Sequence, residues 1–144
     1  MTLSVQEISD RLEIQELIAQ FSHAIDGRRY SDAIALFTPD AALDYTAIHG
    51  PASDPKDVIG HVEETLSRLK LTQHLVGAST ITVSGDTATA RSICHVAGVA
   101  SLPAGDHVFF TGLFYVDAFT RTTEGWRISA RTIEEPWFHN LPTG

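Results

Sequence analysis

The hydrophobic pattern of the chain changes its period once, close to Lys70. Before that point apolar residues recur every three or four positions, as in amphipathic helices. After it the sequence is rich in β-branched and aromatic residues, as in strands. Helices followed by a run of strands predict an α+β domain, in which the helices pack against a mostly antiparallel sheet. The length of 144 residues suits one such domain with a sizeable core, so we expect a single domain over residues 1–144.

The first half of the chain carries signals for three helices. A capping box of Ser4 and Glu7 predicts a long first helix that ends near Asp26, with Gly27 suited to its C-terminal cap. The other elements predicted here are a short helix from Ser31 through Ala33 to Phe37, stopped by Thr38-Pro39, a strand over Ala41–Ile48, a loop over 50–53 and a third helix from Asp54-Pro55 to Leu69.

The second half predicts four long antiparallel strands joined by tight turns. The sequence Ser84-Gly85-Asp86 is a hairpin signal, and glycine also marks the two later turns. Strands of this length are expected to curl around the helices and leave a pocket between the two layers. The four strands are predicted over Thr72–Val83, Thr87–Ser101, His107–Thr122 and Trp126–Glu135.

Charge and cysteine content exclude several classes of protein. The net charge is −8 and the basic residues are scattered, which argues against nucleic-acid binding, because phosphates are bound by clustered Lys and Arg. The chain shows neither a signal peptide nor an apolar run of about 18 residues, so we expect a cytoplasmic protein without a membrane partner. The single cysteine, Cys94, cannot form an intrachain disulfide and is expected to be a buried structural thiol.

Alternation along the strands identifies two histidines as candidates for one apolar cavity. His74 shares a strand face with Val76, and His95 shares a face of the next strand with Ile93. Asp26 would need a hydrogen-bonding partner if it lay under the sheet, and a histidine would satisfy it. A carboxylate that fixes the tautomer of an imidazole leaves the far nitrogen free as a general base. The residues alone leave open whether Asp26 is a solvated helix-end residue.

Several short motifs together resemble the SnoaL-like branch of the nuclear-transport-factor-2-like superfamily. Within it, the chain is most similar to the group of scytalone dehydratase, hexachlorocyclohexane dehydrochlorinase and bile-acid dehydratase. The resemblance covers roughly residues 5–136 and implies a cone-shaped α+β barrel, with three N-terminal helices packed in a curved, mostly antiparallel sheet. The motifs are Asp26-Gly27-Arg28, Ala33 to Phe37, Ala41-Ala42-Leu43-Asp44-Tyr45, Gln73-His74-Leu75-Val76-Gly77 and Gly125-Trp126-Arg127-Ile128.

The resemblance also implies roles for single residues. Asp26 and His74 match the Asp–His dyad of the family, and His95 matches a second-strand histidine of scytalone dehydratase. Tyr45 matches the tyrosine that, with a water, polarises the substrate carbonyl in that enzyme, and Arg131 falls near an arginine of the dehydrochlorinase. We therefore predict the catalytic residues to be Asp26, His74, His95 and Tyr45. We expect no metal and no cofactor. The predicted substrate-binding residues are Arg131, Ile25, Phe21 and Tyr115.

The chain departs from these relatives where they recognise their substrates. Ile25 stands in the place of a tyrosine of scytalone dehydratase, and Gln20-Phe21 stand in the place of a lysine of the dehydrochlorinase. The only asparagine is Asn140, in the tail, so the asparagine of scytalone dehydratase is also missing. Neither reaction is therefore predicted as such. The alternatives left open are packing roles for His74, His95 and Tyr45, and an ion pair of Arg131 with Glu134, Glu135 or Asp26.

These observations predict a cofactor-independent lyase or isomerase that removes a carbon-bound proton. The expected substrate is small, apolar and cyclic, such as an aromatic, polyketide or steroid-like compound. Asp26, His74 and His95 formally supply the ligands of a non-haem iron site, but the resemblance implies no metal. The alternative functions are an epoxide hydrolase with the same pocket and a non-catalytic binding or assembly domain of the same fold. A homodimer or homotrimer is expected, because the outer face of the sheet in this fold usually needs a cover.

Overall fold

Three helices pack on one curved sheet of six strands in the computed structural model, which describes residues 2–143. The strand order is β2-β1-β6-β5-β4-β3, and each neighbouring pair is antiparallel except β1 with β6. The predicted α+β class is confirmed. The elements are α1 (Val5–Asp26), α2 (Tyr30–Ile34), β1 (Phe37–Asp44), a 3₁₀ turn (Thr46–Ile48), β2 (Ala52–Ser53), α3 (Pro55–Leu66), β3 (Leu71–Ser84), β4 (Thr87–Leu102), β5 (Gly105–Thr122) and β6 (Gly125–His139).

The first helix begins as its capping signal predicts and ends in a left-handed turn. The Ser4 side chain accepts a hydrogen bond from the backbone N–H of Glu7 at 3.1 Å. At the other end Gly27 is the C-cap, but the left-handed residue is Arg28, with φ of 60°. The N–H of Arg28 bonds the carbonyl of Ile25, and the N–H of the next residue bonds that of Ala24, which is the Schellman arrangement.

Several predicted boundaries between residues 31 and 69 were wrong. The second helix ends at Ile34 instead of Phe37, because the chain from Phe37 onward pairs with β6. Pro39 lies inside β1 and has no backbone N–H. Because the pairing shifts register here and the neighbouring strand β2 is short, no ladder hydrogen bond is expected at this position, and the proline therefore costs none. The strand predicted over Ala41–Ile48 accordingly starts earlier and stops at Asp44, and 52–53, predicted as loop, form β2. The third helix ends at Leu66, three residues early.

The four long strands lie where the sequence predicts them, with small shifts at their ends. The largest difference is at the end of β6, which continues past Glu135 to His139 because β5 is long enough to pair with it. On β4 the even-numbered residues face the helices, and Cys94 is fully buried among them, as expected. Within residues 2–143, none of the helices combines the length and the apolar composition of a membrane-spanning segment.

The first helix contacts the backbone of β3, which is an edge strand of the sheet. The Arg11 side chain donates to the carbonyl of Ile81 at 2.8 Å. At the C-terminal end of the helix, the Asp26 carboxylate accepts a hydrogen bond from the backbone N–H of His74 at 2.7 Å. These two contacts fix the helix along the strand and bring its last residues to the site described next.

Candidate active site

A cavity of about 240 Å³ lies between the helices and the inner face of the sheet. Its wall is mostly apolar, and its polar side chains include those of two histidines, His61 and His74. An apolar hollow with a few polar groups is the usual form of a small-molecule site. Five of the residues singled out from the sequence line it, namely Phe21, Ile25, Tyr45, His74 and Tyr115.

Asp26 and His74 touch at the edge of this cavity. The Nδ1 atom of His74 lies 2.6 Å from Oδ1 of Asp26, and the backbone N–H of His74 donates to Oδ2. The hydroxyl of Thr72 donates to Oδ1 at 3.1 Å. The side chains of His74 and Asp26 are 10% and 22% exposed, so the contact is largely shielded from water.

The hydrogen bonds to Asp26 determine its protonation state. Burial raises the pKa of Asp26, but the side-chain and backbone hydrogen bonds from His74 together lower it further, so the pKa lies below its ordinary value. The carboxylate is therefore ionised near neutral pH and can only accept hydrogen bonds. It follows that Nδ1 of His74 carries a proton in this contact, so that Nε2 is the nitrogen with the lone pair whenever the ring is neutral.

Tyr45 lines the cavity and is almost completely buried. Among residues 2–143 its hydroxyl makes no hydrogen bond of good geometry, although the Arg131 guanidinium is near enough to act on it as a donor and to lower its pKa. Burial raises the pKa of Tyr45, against the effect of the nearby Arg131 charge, so the hydroxyl keeps its proton. The hydroxyl oxygen has almost no accessible surface, so a molecule in the cavity can accept a hydrogen bond from it only after neighbouring side chains move.

Arg131 is fully buried, and it lies behind the cavity wall instead of on it. Its guanidinium makes two hydrogen bonds to Asp117, at 2.7 and 2.9 Å, and packs 3.8 Å from the ring centre of Tyr115. Burial lowers the pKa of Arg131, but the Asp117 carboxylate raises it more, so the group stays charged. The ion-pair partner is none of the three carboxylates considered from the sequence. The expected position of Arg131 at the substrate was wrong, because Asp117 on the adjacent strand holds the guanidinium in the core.

The predicted position of His95 inside the cavity was also wrong. In the β3–β4 ladder His74 is paired with Val96, while His95 is paired with Leu75 on the outer face. The exposed His95 ring packs edge-to-face against Trp137 at 5.6 Å. Since paired residues share a face of the sheet, His95 and His74 point to opposite sides. The formal ligand set of Asp26, His74 and His95 therefore does not converge on one point.

The sequence interpretation missed four polar residues of the site, Thr72, His61, Thr65 and Thr111. Thr72 shares the face of His74 by simple alternation, and its bond to Asp26 could have been inferred from that spacing. His61 and Thr65 of α3 lie four residues apart on the cavity side of that helix. Helical spacing gave a signal for this pair, but a histidine on an amphipathic helix is more often solvated.

Comparisons with known proteins agree with this architecture. The family model of the SnoaL-like domain matches residues 6–132. The uncharacterized protein Rv2910c of Mycobacterium tuberculosis is 43% identical over 141 residues, which are 96% of this chain and 93% of that protein.

Two solved structures have similar folds and carry enzyme names. A proposed scytalone dehydratase from Novosphingobium aromaticivorans aligns with a TM-score of 0.80 at 16% identity, over 96% of this chain and 91% of that one. A hexachlorocyclohexane dehydrochlorinase (LinA) of type 2 aligns with a TM-score of 0.75 at 17% identity, over 96% and 97%. At these identities the likeness shows the fold alone.

Proposed function

Because this chain belongs to the SnoaL-like domain family, we propose that it is a cofactor-independent lyase or isomerase with His74 as its general base. The observation that carries the proposal is the 2.6 Å contact between Asp26 and His74 at the wall of an apolar cavity. Two structures of the same fold are named for eliminations, dehydration and dehydrochlorination, so the fold is compatible with this reaction class.

In the proposed reaction, Nε2 of His74 takes a proton from a carbon next to a carbonyl or beside a leaving group. The electron pair of the broken C–H bond forms a new double bond. In a lyase the leaving group departs with its bonding electrons, and in an isomerase the proton is returned to another carbon of the same molecule. Asp26 stabilises the imidazolium that forms and keeps the ring in one orientation.

Tyr45 is proposed to donate a hydrogen bond to the oxygen that gains charge. Its ring lines the cavity and its hydroxyl keeps its proton, and the proposed contact requires a side-chain shift that exposes the hydroxyl to the substrate. A donor that is already oriented in a water-poor site stabilises developing negative charge more strongly than water does. Tyr45→Phe is therefore the natural companion variant to changes at His74.

The size of the cavity narrows the substrate class. A volume of about 240 Å³ exceeds the roughly 150 Å³ that hold a benzene molecule. It is smaller than the roughly 300–1,000 Å³ of sites for drug-sized ligands. We therefore propose a substrate of one or two fused rings, and a steroid-sized molecule would require the cavity to open further.

The experiment is hydrogen–deuterium exchange of one- and two-ring ketones, 2-tetralone among them, followed by NMR in D₂O. We expect the protein to accelerate exchange next to the carbonyl, and His74→Ala to slow it by a factor on the order of 10²–10⁴. His23→Ala is the matched control, because His23 is exposed on α1 and lies outside the cavity wall. A ketone that binds in the cavity without accelerated exchange would contradict the proposal and favour a non-catalytic binding domain.

A further inference from the structure

Behind Asp26 lies a second layer of hydrogen bonds that the proposed reaction does not use. The hydroxyl of Thr72, a residue that is only 7% exposed, lies between Asp26 and Arg28. It donates to Oδ1 of Asp26 at 3.1 Å and accepts from Nη1 of Arg28 at 2.9 Å. The same Nη1 donates to the carbonyl of Ile25 at 3.2 Å. Arg28 is thus connected to His74 through Thr72 and Asp26.

In the series of hydrogen bonds from Arg28 through Thr72 and Asp26 to His74, the donors and acceptors can be arranged in only one way. A guanidinium has N–H groups and no acceptor, so the Thr72 oxygen must accept from Arg28. The single hydroxyl proton of Thr72 is then directed to Asp26, which as a carboxylate only accepts. The last member, Nδ1 of His74, must donate to Asp26 as well, and this leaves the lone pair on Nε2.

The residue type at position 28 also calls for an explanation. Arg28 has φ of 60°, a region in which glycine is the ordinary choice and other residues are strained. The helix end itself is closed by main-chain bonds to the carbonyls of Ile25 and Ala24, which a glycine would make equally well. What glycine could not supply is the guanidinium contact to Thr72.

We propose that Arg28 and Thr72 are positioning residues that fix the tautomer of His74 through Asp26. The catalytic consequence of this inference rests on the proposed function, whereas the tautomer is a property of the free protein. Neither residue transfers a proton in this scheme. Their effect is to keep Asp26 oriented and ionised, so that Nε2 remains the acceptor on the cavity side.

The test is long-range ¹H–¹⁵N NMR of the His74 ring, at a pH where the imidazole is neutral. Two variants interrupt this series of hydrogen bonds. Thr72→Val removes the hydroxyl with little change of shape, and Arg28→Gly removes the guanidinium but suits the left-handed backbone. In both, the Nε2–H tautomer should rise to a share that the ring ¹⁵N shifts detect, because Asp26 is no longer held in line with Nδ1.

Three proteins should keep the Nδ1–H pattern: the wild type, Thr72→Ser, which retains the hydroxyl, and Arg29→Ala. The last is the matched control, because Arg29 is exposed and pairs with Asp32 instead of Thr72. An unchanged tautomer in Arg28→Gly would overturn the role of Arg28, and an unchanged tautomer in both variants would overturn the whole proposal. Should Thr72→Val fail to fold, Arg28→Gly alone decides.

Turnover separates this inference from the proposed function. In Arg28→Gly the saturated exchange rate should fall by the same fraction as the population of the Nδ1–H tautomer, with the KM unchanged, because Arg28 is outside the cavity wall. If the tautomer shifts as expected but His74→Ala retains full activity, the proposed function fails and the positioning role stands. If the tautomer does not shift while His74→Ala is inactive, the positioning role fails and the proposed function stands.

Discussion

Two carboxylates of α1, Asp10 and Asp26, each accept several hydrogen bonds. Asp10 is buried and accepts from Arg121 at 2.7 and 3.0 Å, from the indole N–H of Trp126 at 3.0 Å and from Gln6 at 3.0 Å. The bonds from Arg121 lower the pKa of Asp10 by more than burial raises it. The pKa of Asp26 is also lowered, although its main partner is a histidine. The same physical arrangement thus stabilises the fold at one end of the helix and forms the candidate site at the other.

Asp10→Asn is expected to lower the free energy of unfolding at neutral pH by about 1–3 kcal/mol, because it weakens the bonds to Arg121. The pKa of Asp10 is depressed in the folded state, so its contribution is fully present above the unfolded pKa of about 3.9 and is lost as the pH falls toward the folded value. Urea unfolding at about pH 7 and about pH 3 should therefore show a smaller gap between wild type and variant at the lower pH. A gap of equal size at both would contradict this assignment.

The residue pattern predicted some side-chain positions and not others. The residues alone left open whether Asp26 is solvated, and the family resemblance implied its pairing with His74. The structure brings the two together, which gives a buried carboxylate the donors that it needs. The face of His95 could not be read in the same way, because both faces of β4 are similarly apolar near it: Ile93 and Ala97 on one side, Cys94 and Val96 on the other. Only the register of β4 with β3 determines which face of the sheet His95 lies on.

At the scale of elements, strands β5 and β6 are joined by a buried ion pair. Asp117 and Arg131 lie directly opposite each other in the ladder and are both fully buried. The guanidinium supports the rings of Phe21 and Tyr115, which belong to the cavity wall. The sequence could not identify this pair, because the partner of a charged residue on a strand depends on register and not on sequence distance.

Asp117→Leu is expected to lower the free energy of unfolding by about 3–5 kcal/mol, since it leaves the Arg131 charge buried and unpaired. Replacing both residues, as Asp117→Leu with Arg131→Met, should recover most of this loss, because no charge then remains in the core. Urea unfolding of the single and double variants provides the measurement. A double variant that is no more stable than Asp117→Leu would contradict the assignment of the loss to the unpaired Arg131 charge.

The elements were predictable where local signals agree with tertiary packing. The change of period near Lys70, the cap of α1 and the hairpin turns placed the long helix and the four long strands correctly. Between residues 31 and 53 local signals favoured a longer second helix and a break at Pro39. Pairing with β6 determined the structure there instead, and this long-range partner is invisible in the local pattern.

At the scale of the whole molecule, the outer face of the sheet carries an exposed apolar area. Its members come from β3, β4, β5 and β6, and each is between 43% and 67% exposed: Leu75, Ile93, Phe110 and Trp137. Monomeric proteins rarely expose contiguous apolar areas of more than a few hundred Å². We therefore propose that a second copy of the chain covers this face, in line with the homodimer or homotrimer expected from the sequence.

Light scattering should accordingly give a mass of two or three times 15.7 kDa. Ile93→Asp places a charge in the exposed apolar area and should shift the protein to the monomer mass. Thr89→Asp is the control, because it adds the same charge on the exposed face of the same strand, outside that area. A wild-type protein that is monomeric at high concentration would rule out the proposed assembly.

The position of the site on β3 has one more consequence. This strand is the edge of the sheet, and its outward backbone groups are a template on which a foreign strand could be added. The N–H of His74 donates to Asp26, and the carbonyl of Ile81 accepts from Arg11. These two backbone groups are therefore already paired with the first helix, which blocks strand addition at two points. Substitutions of Asp26 would therefore unmask an aggregation-prone edge as well as disturb the imidazole. The activity of such variants therefore has to be measured on protein that is shown to be free of aggregates.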